Sequence, residues 1–300
     1  MKLAICIGDP NSIGQEIIKS WVEENEELSK QCEVIAHKEF LDTLPNYVSK
    51  FQIGNPNFKA TLGVPSVEAA SIAYQALEQA AKGANEGIYK AVVTAPVSKA
   101  MMNEAGYKFV GQTEFFESKW QGEATMCFVG KKLILSLATW HIAFKDVPSA
   151  INMQSLTKAV SQVNKLCGKL KDIENPRIAV CALNPHAGED GLLGTEEIDY
   201  IDPILDELRK DYPNLSKALP ADTVFMRCLK GEFDCIVSMY HDQGLAPLKM
   251  LEFDQAVNIT MGLDHIRTSP DHGTAYAIAG KGLASNESFA AAVNVALKLS

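Results

Sequence analysis

Three apolar runs in this chain lead into a histidine. Residues 133–138 run to Thr139-Trp140-His141, residues 177–183 to Asn184-Pro185-His186, and residues 234–239 to Tyr240-His241-Asp242. Neutral imidazole is a good ligand for borderline divalent cations. Three protein ligands with one open position is the arrangement of a catalytic metal rather than a structural one. Such ligands are scattered along the chain and meet in space, so no short spacing motif is expected. Taken singly, each histidine could equally be a hydrogen-bonded residue at the end of a strand. Two carboxylates accompany them. Asp242 adjoins His241, and Asp222 stands in Leu219-Pro220-Ala221-Asp222-Thr223. Either could orient a ligand or move a proton. Asp222 also suits the first turn of a helix, where a carboxylate meets the positive end of the dipole.

A second group of residues suits an anion. Thr94-Ala95-Pro96-Val97-Ser98-Lys99 joins a strand to a helix start, with hydroxyls and a lysine in reach of a phosphate. A plain capping turn would use the same residues, and Gly111-Gln112-Thr113-Glu114 has the same two readings. Lys249, Asn258 and Arg267 set two cations and an amide at or near strand ends in the C-terminal region. Arg and Lys are the usual binders of phosphate, although Lys249 could simply be solvated. The last stretch, residues 271–282, is rich in small residues that let backbone approach a flat ligand closely. No GxGxxG follows any strand, so an ordinary Rossmann dinucleotide site is not supported.

These residues need a scaffold that gathers strand ends. Strand and helix patterns alternate from end to end. Val67–Lys82 carries an apolar stripe at Ala69, Ile72, Ala73, Ala76, Leu77 and Ala80, with Gly83 as its expected stop. Segments 125–129 and 132–138 read as a hairpin across Gly130-Lys131. Strands separated by helices pair in parallel, with helices on both faces, so the fold class is α/β with a mixed, mostly parallel sheet. Ligands in such sheets gather beyond the carboxyl ends of the strands.

The bulk numbers exclude other classes. The 300 residues are 47% hydrophobic and 22% charged, an ordinary globular balance. The net charge of −9 argues against a nucleic-acid surface. No apolar stretch approaches the ~20 residues that cross a bilayer, and the opening MKLAICIGDPNS reads as a first strand rather than a leader. The seven cysteines show no CxxC spacing and read as buried free thiols in a reducing cytoplasm.

The motifs, taken together, resemble the 4-hydroxythreonine-4-phosphate dehydrogenase family of pyridoxal phosphate biosynthesis. They are GDP at 8–10, TAPVSK at 94–99, GQTE at 111–114, ATWH at 138–141, LNPHAGEDGLLGTEE at 183–197, PADT at 220–223, MYHDQGLAPLK at 239–249, VNITMGL at 257–263 and IRTSPDHGTA at 266–275. They stand in family order along nearly the whole chain.

The resemblance implies an isocitrate/isopropylmalate dehydrogenase-like fold of two α/β domains, residues 1–110 with 268–300 and residues 111–267. The active site would lie in the cleft between them at a homodimer interface, with one metal ligand from the partner subunit. His141, His186 and His241 match the family's ligands for one divalent metal, with zinc, magnesium or cobalt as candidates. Lys249, Asn258, Arg267 and Thr113 match substrate-binding positions. His272, Gly273, Thr274 and Ala275 open a segment like the NAD or NADP loop of isopropylmalate dehydrogenases. Gln112 replaces a family histidine that contacts substrate. It keeps hydrogen bonding but cannot carry charge.

The implied reaction oxidises 4-phosphohydroxy-L-threonine to a 3-oxo acid that decarboxylates, with Asp222 or Asp242 as the base. The alternatives are the same fold acting on a phosphothreonate or phosphoerythronate, a metal-dependent phosphatase or hydrolase, and a non-catalytic phosphate-binding protein.

Overall fold

The computed structural model describes residues 1–300. Its strands are β1 (Lys2–Cys6), β2 (Cys32–Ala36), β3 (Ser49–Gln52), β4 (Tyr89–Thr94), β5 (Gly122–Val129), β6 (Ile134–Leu137), β7 (Ile178–Cys181), β8 (Leu215–Leu219), β9 (Cys235–Ser238), β10 (Val257–Leu263) and β11 (Ile266–Pro270). The chain divides into Met1–Ala124 with Val257–Ser300, and Thr125–Ala256.

The first unit has strand order β3-β2-β1-β4-β11-β10. All neighbours are parallel except β10 and β11, which pair antiparallel. The order switches at β1, with β2 on one side and β4 on the other. In parallel α/β sheets that is where a crevice opens for a ligand. The helix Val67–Asn85 covers this sheet with the expected stripe, and the Ser66 hydroxyl caps it by accepting from Ala69 N. It does not stop at Gly83. Glycine is there because the Tyr89 ring packs onto its Cα, where any Cβ would collide.

The second unit has order β5-β6-β9-β7-β8. β5 and β6 form the expected hairpin, with Cys127 opposite Ser136 and Val129 opposite Ile134. The buried Glu252 carboxylate accepts from the turn amides of Lys132 (2.7 Å) and Leu133 (3.3 Å). The strands β6, β9, β7 and β8 run parallel. Leu135, Leu137, Ile236, Val224 and Leu248 form the heart of this unit's core.

The division differs from the expected one at both boundaries. β11 hydrogen-bonds to β4, and β10 pairs with β11, so residues 257–270 belong to the first unit's sheet. The helix Gln112–Glu117 stays with the same unit, where the Thr113 and Thr260 hydroxyls meet at 3.4 Å. All seven cysteines are buried and free. No helix is long and apolar enough to cross a membrane.

One buried group predicts how stability depends on pH. His37 ends β2, fully buried, with the Phe58 ring edge-on at 5.1 Å and no hydrogen bond to either ring nitrogen. Burial pushes its pKa down from 6.5 to about 4. The unfolded chain therefore takes up a proton below pH 6.5 that the folded chain refuses until about pH 4. Stability falls as pH drops through that window, by on the order of 3 kcal/mol. Denaturant titrations should show a shallower acid loss in His37→Leu than in the wild type. Equal losses would contradict the prediction.

Candidate functional site

The three candidate histidines follow β6, β7 and β9, and β9 lies between the other two. Parallel pairing puts the carboxyl ends of all three strands on one edge of the second unit's sheet. Leu137 stands opposite Ser238 in the β6–β9 register. The pairing continues past the strands, because Ala138 N donates to Ser238 O (2.8 Å) and Thr139 N to Met239 O (3.1 Å). His141 and His241 are carried side by side as a result, with ring centroids 6.0 Å apart. They share a hollow of about 350 Å³ whose walls include Trp140, Phe144 and Tyr240.

His186 sits on a different kind of support. Residues His186, Ala187, Glu189 and Asp190 all have left-handed backbone, as does His141. Such strain persists only where the surroundings over-determine it, and it collects at functional sites. The buried Glu197 supplies that constraint here. Its carboxylate accepts from Leu183 N, Asn184 N and the Asn184 side chain, all at 2.8–2.9 Å.

Two of the imidazoles are oriented by carboxylates. Asp242 Oδ1 lies 2.7 Å from His241 Nδ1, and Glu189 Oε2 lies 2.8 Å from His186 Nδ1. This arrangement fixes the ring and leaves Nε2 as the donor for a metal. The donor chemistry therefore fits a borderline divalent cation. The expected meeting of three imidazoles is not found within one chain. His141 and His241 form a pair, and no three His, Cys, Asp or Glu side chains are placed to hold an ion together. Asp222 is exposed in the first turn of the helix Ala221–Leu229, after β8.

The anion-binding candidates divide differently from expectation. Lys249 is not at a strand end but inside the helix His241–Glu252 of the second unit. Asn258 and Arg267 lie within β10 and β11 of the first unit. Antiparallel pairing brings those two together, and Arg267 Nη1 donates to Asn258 Oδ1 at 3.1 Å. Arg267 Nε and Nη2 both donate to Thr94 Oγ1, at 3.1 and 2.9 Å.

Arg267 is only 3% exposed, yet each of these three hydrogen bonds ends on a neutral oxygen. Burial pulls its pKa down to about 10, with the fields of Cys6, Glu114 and Asp271 acting the other way. A buried cation with only neutral hydrogen-bond acceptors is costly. An anionic ligand would relieve that cost.

Gln112 meets the residue that follows Thr94. Its Nε2 faces the carbonyl of Ala95 at 3.4 Å, which fixes the amide orientation. Its Oε1 is buried without a hydrogen bond, an acceptor aimed at a donor the chain does not supply.

His272, Gly273, Thr274 and Ala275 follow β11 in the first unit. Gly273 is exposed, has no positive φ, and a Cβ there would meet nothing within 4 Å. Neither backbone strain nor packing requires this glycine. Close approach by a ligand would.

Sequence reasoning missed the carboxylates that hold the site. Glu189 stands three residues after His186, within reach of its imidazole, and that spacing was the available signal. Glu197 gave no signal of its own.

The pyridoxal phosphate biosynthetic protein PdxA family model matches residues 2–296. The chain is 44% identical over 241 residues to a 4-hydroxythreonine-4-phosphate dehydrogenase of Enterobacter sp. (strain 638), covering 80% of this chain and 74% of that protein. The crystal structure of 4-hydroxythreonine-4-phosphate dehydrogenase from Klebsiella pneumoniae matches with TM-score 0.85 at 31% identity, over 99% of both chains. A β-decarboxylating dehydrogenase from Thermococcus kodakarensis matches with TM-score 0.56 at 14% identity, over 99% of this chain and 81% of that one, and shares the fold alone. With the family model spanning every residue that builds these two clusters, the chain belongs to the PdxA family of pyridoxal phosphate biosynthetic proteins.

Proposed function

We propose that this chain oxidises the secondary alcohol of 4-phosphohydroxy-L-threonine, with NAD or NADP as hydride acceptor. The carrying observation is Arg267, a buried guanidinium whose hydrogen bonds all end on neutral oxygens, beside Asn258 and the Thr94 strand end. That arrangement suits the phosphate of the substrate. The name of the Enterobacter relative supports the same substrate.

Gln112 and Thr113 open the helix Gln112–Glu117, reach Ala95 O and the Thr260 hydroxyl, and offer an amide acceptor and a hydroxyl. Lys249 is a further cation for an anionic group of the substrate. His272, Gly273, Thr274 and Ala275 would hold the nicotinamide cofactor, with Gly273 bare for close approach.

His141, His186 and His241 would hold one divalent metal, zinc, magnesium or cobalt, shared between two copies of the chain. When bound, such a cation lowers the pKa of a coordinated hydroxyl by Lewis acidity. Asp242 and Glu189 keep the imidazoles turned with Nε2 free, and Asp222 is the candidate to take the hydroxyl proton. The nicotinamide, held by residues 272–275, would accept the carbinol hydride. The resulting 3-oxo acid loses carbon dioxide to give 3-amino-2-oxopropyl phosphate. A homodimer accounts for Ile142, Phe144 and Leu192, which are 44%, 70% and 79% exposed on the loops that carry His141 and His186.

Gln112 favours a second substrate reading within the same chemistry. Its neutral amide could accept from a hydroxyl of a phosphothreonate or phosphoerythronate as readily as from an ammonium. Initial rates on phosphohydroxythreonine and on each sugar acid, with NAD and with NADP, separate the readings. The first requires the amino acid to be turned over with the highest kcat/KM. Faster turnover of a sugar acid would replace it, and no nicotinamide reduction with any of them would return the hydrolase reading.

A further inference from the structure

We propose that the hydrogen bond between Tyr276 and Asp9 is a clasp that sets the His272–Ala275 backbone in the geometry that receives the nicotinamide, making Tyr276 a positioning residue for the cofactor. The proposal rests on the reading of that segment as the cofactor loop.

Asp9 follows β1 at the point where the first unit's strand order switches. It is fully buried, and its two oxygens are both engaged. Oδ1 accepts from Asn11 N at 2.8 Å, and Oδ2 accepts from the Tyr276 hydroxyl at 2.6 Å. Burial pushes the Asp9 pKa up, and these two hydrogen bonds oppose that. The phenol oxygen therefore joins the turn after β1 to the 272–278 segment. Asn11 extends the network, because its Oδ1 accepts from Thr61 N and its carbonyl from Gly63 N, each at 2.8 Å.

The segment needs such a tie. Ala275, the residue before Tyr276, has φ 45, a left-handed conformation that side chains disfavour. A strained residue stays in place only where its neighbours leave it no alternative. On one side Ile13 N holds Thr274 O at 3.2 Å. On the other, the anchored phenol of Tyr276 holds the chain. Without the hydroxyl, Ala275 can relax and carry His272, Gly273 and Thr274 out of position. The proposed chemistry has no other use for Asp9 or Tyr276.

The test is an equilibrium fluorescence titration of the full-length chain with reduced nicotinamide dinucleotide, without substrate. Tyr276→Phe should weaken binding about tenfold or more, the scale of a lost hydrogen bond to a carboxylate. Its affinity for phosphohydroxythreonine should not change. Adding Ala275→Gly to Tyr276→Phe should recover part of the loss, because glycine takes positive φ without strain. A tyrosine that only stabilises the fold would lower Tm in Tyr276→Phe without selective loss of nicotinamide and without rescue. If Tyr276→Phe fails to fold, Asp9→Asn, which keeps the shape but turns one of the two acceptor oxygens into an N–H donor, should show the same selective loss. Equal nicotinamide binding by the wild type and the folded variant overturns the clasp alone. A wild type that binds no nicotinamide overturns the cofactor reading and the clasp with it.

Discussion

Arg267→Ala will raise KM for the phosphorylated substrate by about a hundredfold, the scale of removing charge-assisted hydrogen bonds from a buried anion site. KM for the nicotinamide should move less than twofold. The asymmetry follows from where Arg267 sits, buried at 3% exposure with Thr94 and Asn258 as its partners in the strands. Stability should fall as well. Alanine leaves a cavity in place of the buried guanidinium and strips Thr94 Oγ1 and Asn258 Oδ1 of their donor, so Tm should drop. Arg267→Lys should not restore KM. One ammonium cannot reach Thr94 Oγ1 and Asn258 Oδ1 together as the planar fork does. Steady-state kinetics with each substrate varied in turn, with a melting curve, check all three points. An equal rise in both KM values would remove the phosphate role.

The second large effect is at the histidine pair. His241→Ala will lower kcat by about a thousandfold, several kcal/mol of lost Lewis-acid stabilisation, and bound metal will fall from one per chain toward none. The fold should survive, because His241 is half-exposed at a helix start and lies outside the apolar core. Asp242→Asn should give a smaller loss, about ten- to a hundredfold in metal affinity, because it touches the imidazole and not the ion. Metal analysis of the purified variants and single-substrate kinetics check this. Full metal content in His241→Ala would show that the ion, if any, is held elsewhere.

Much of the scaffold was readable because its apolar periodicity is strong. The stripe of Val67–Asn85 and the β5–β6 hairpin are local patterns. What could not be read lies in strands without a pattern. β3 and β8 are short edge strands with mixed burial, and β11 carries a buried arginine where alternation predicts an apolar residue. The expected unit boundary put residues 257–267 in the second unit, and nothing in residues 257–270 signals pairing with β4. The site divides the same way. The histidines were visible because a polar residue after an apolar run is a local signal, and the parallel order β6-β9-β7 put all three on one edge. Lys249 was misplaced because Pro247 masks the helix His241–Glu252 that carries it. The ties through Tyr276, Glu189 and Glu197 depend on turns whose shape no single-residue pattern encodes.

The most direct measurement is nicotinamide reduction by the wild-type chain with phosphohydroxythreonine, before and after a chelator, followed by return of a single divalent metal. Metal-dependent dehydrogenation predicts steady absorbance growth, its loss on chelation, and its recovery with zinc, magnesium or cobalt. Reduction that continues undiminished in the stripped protein would contradict it.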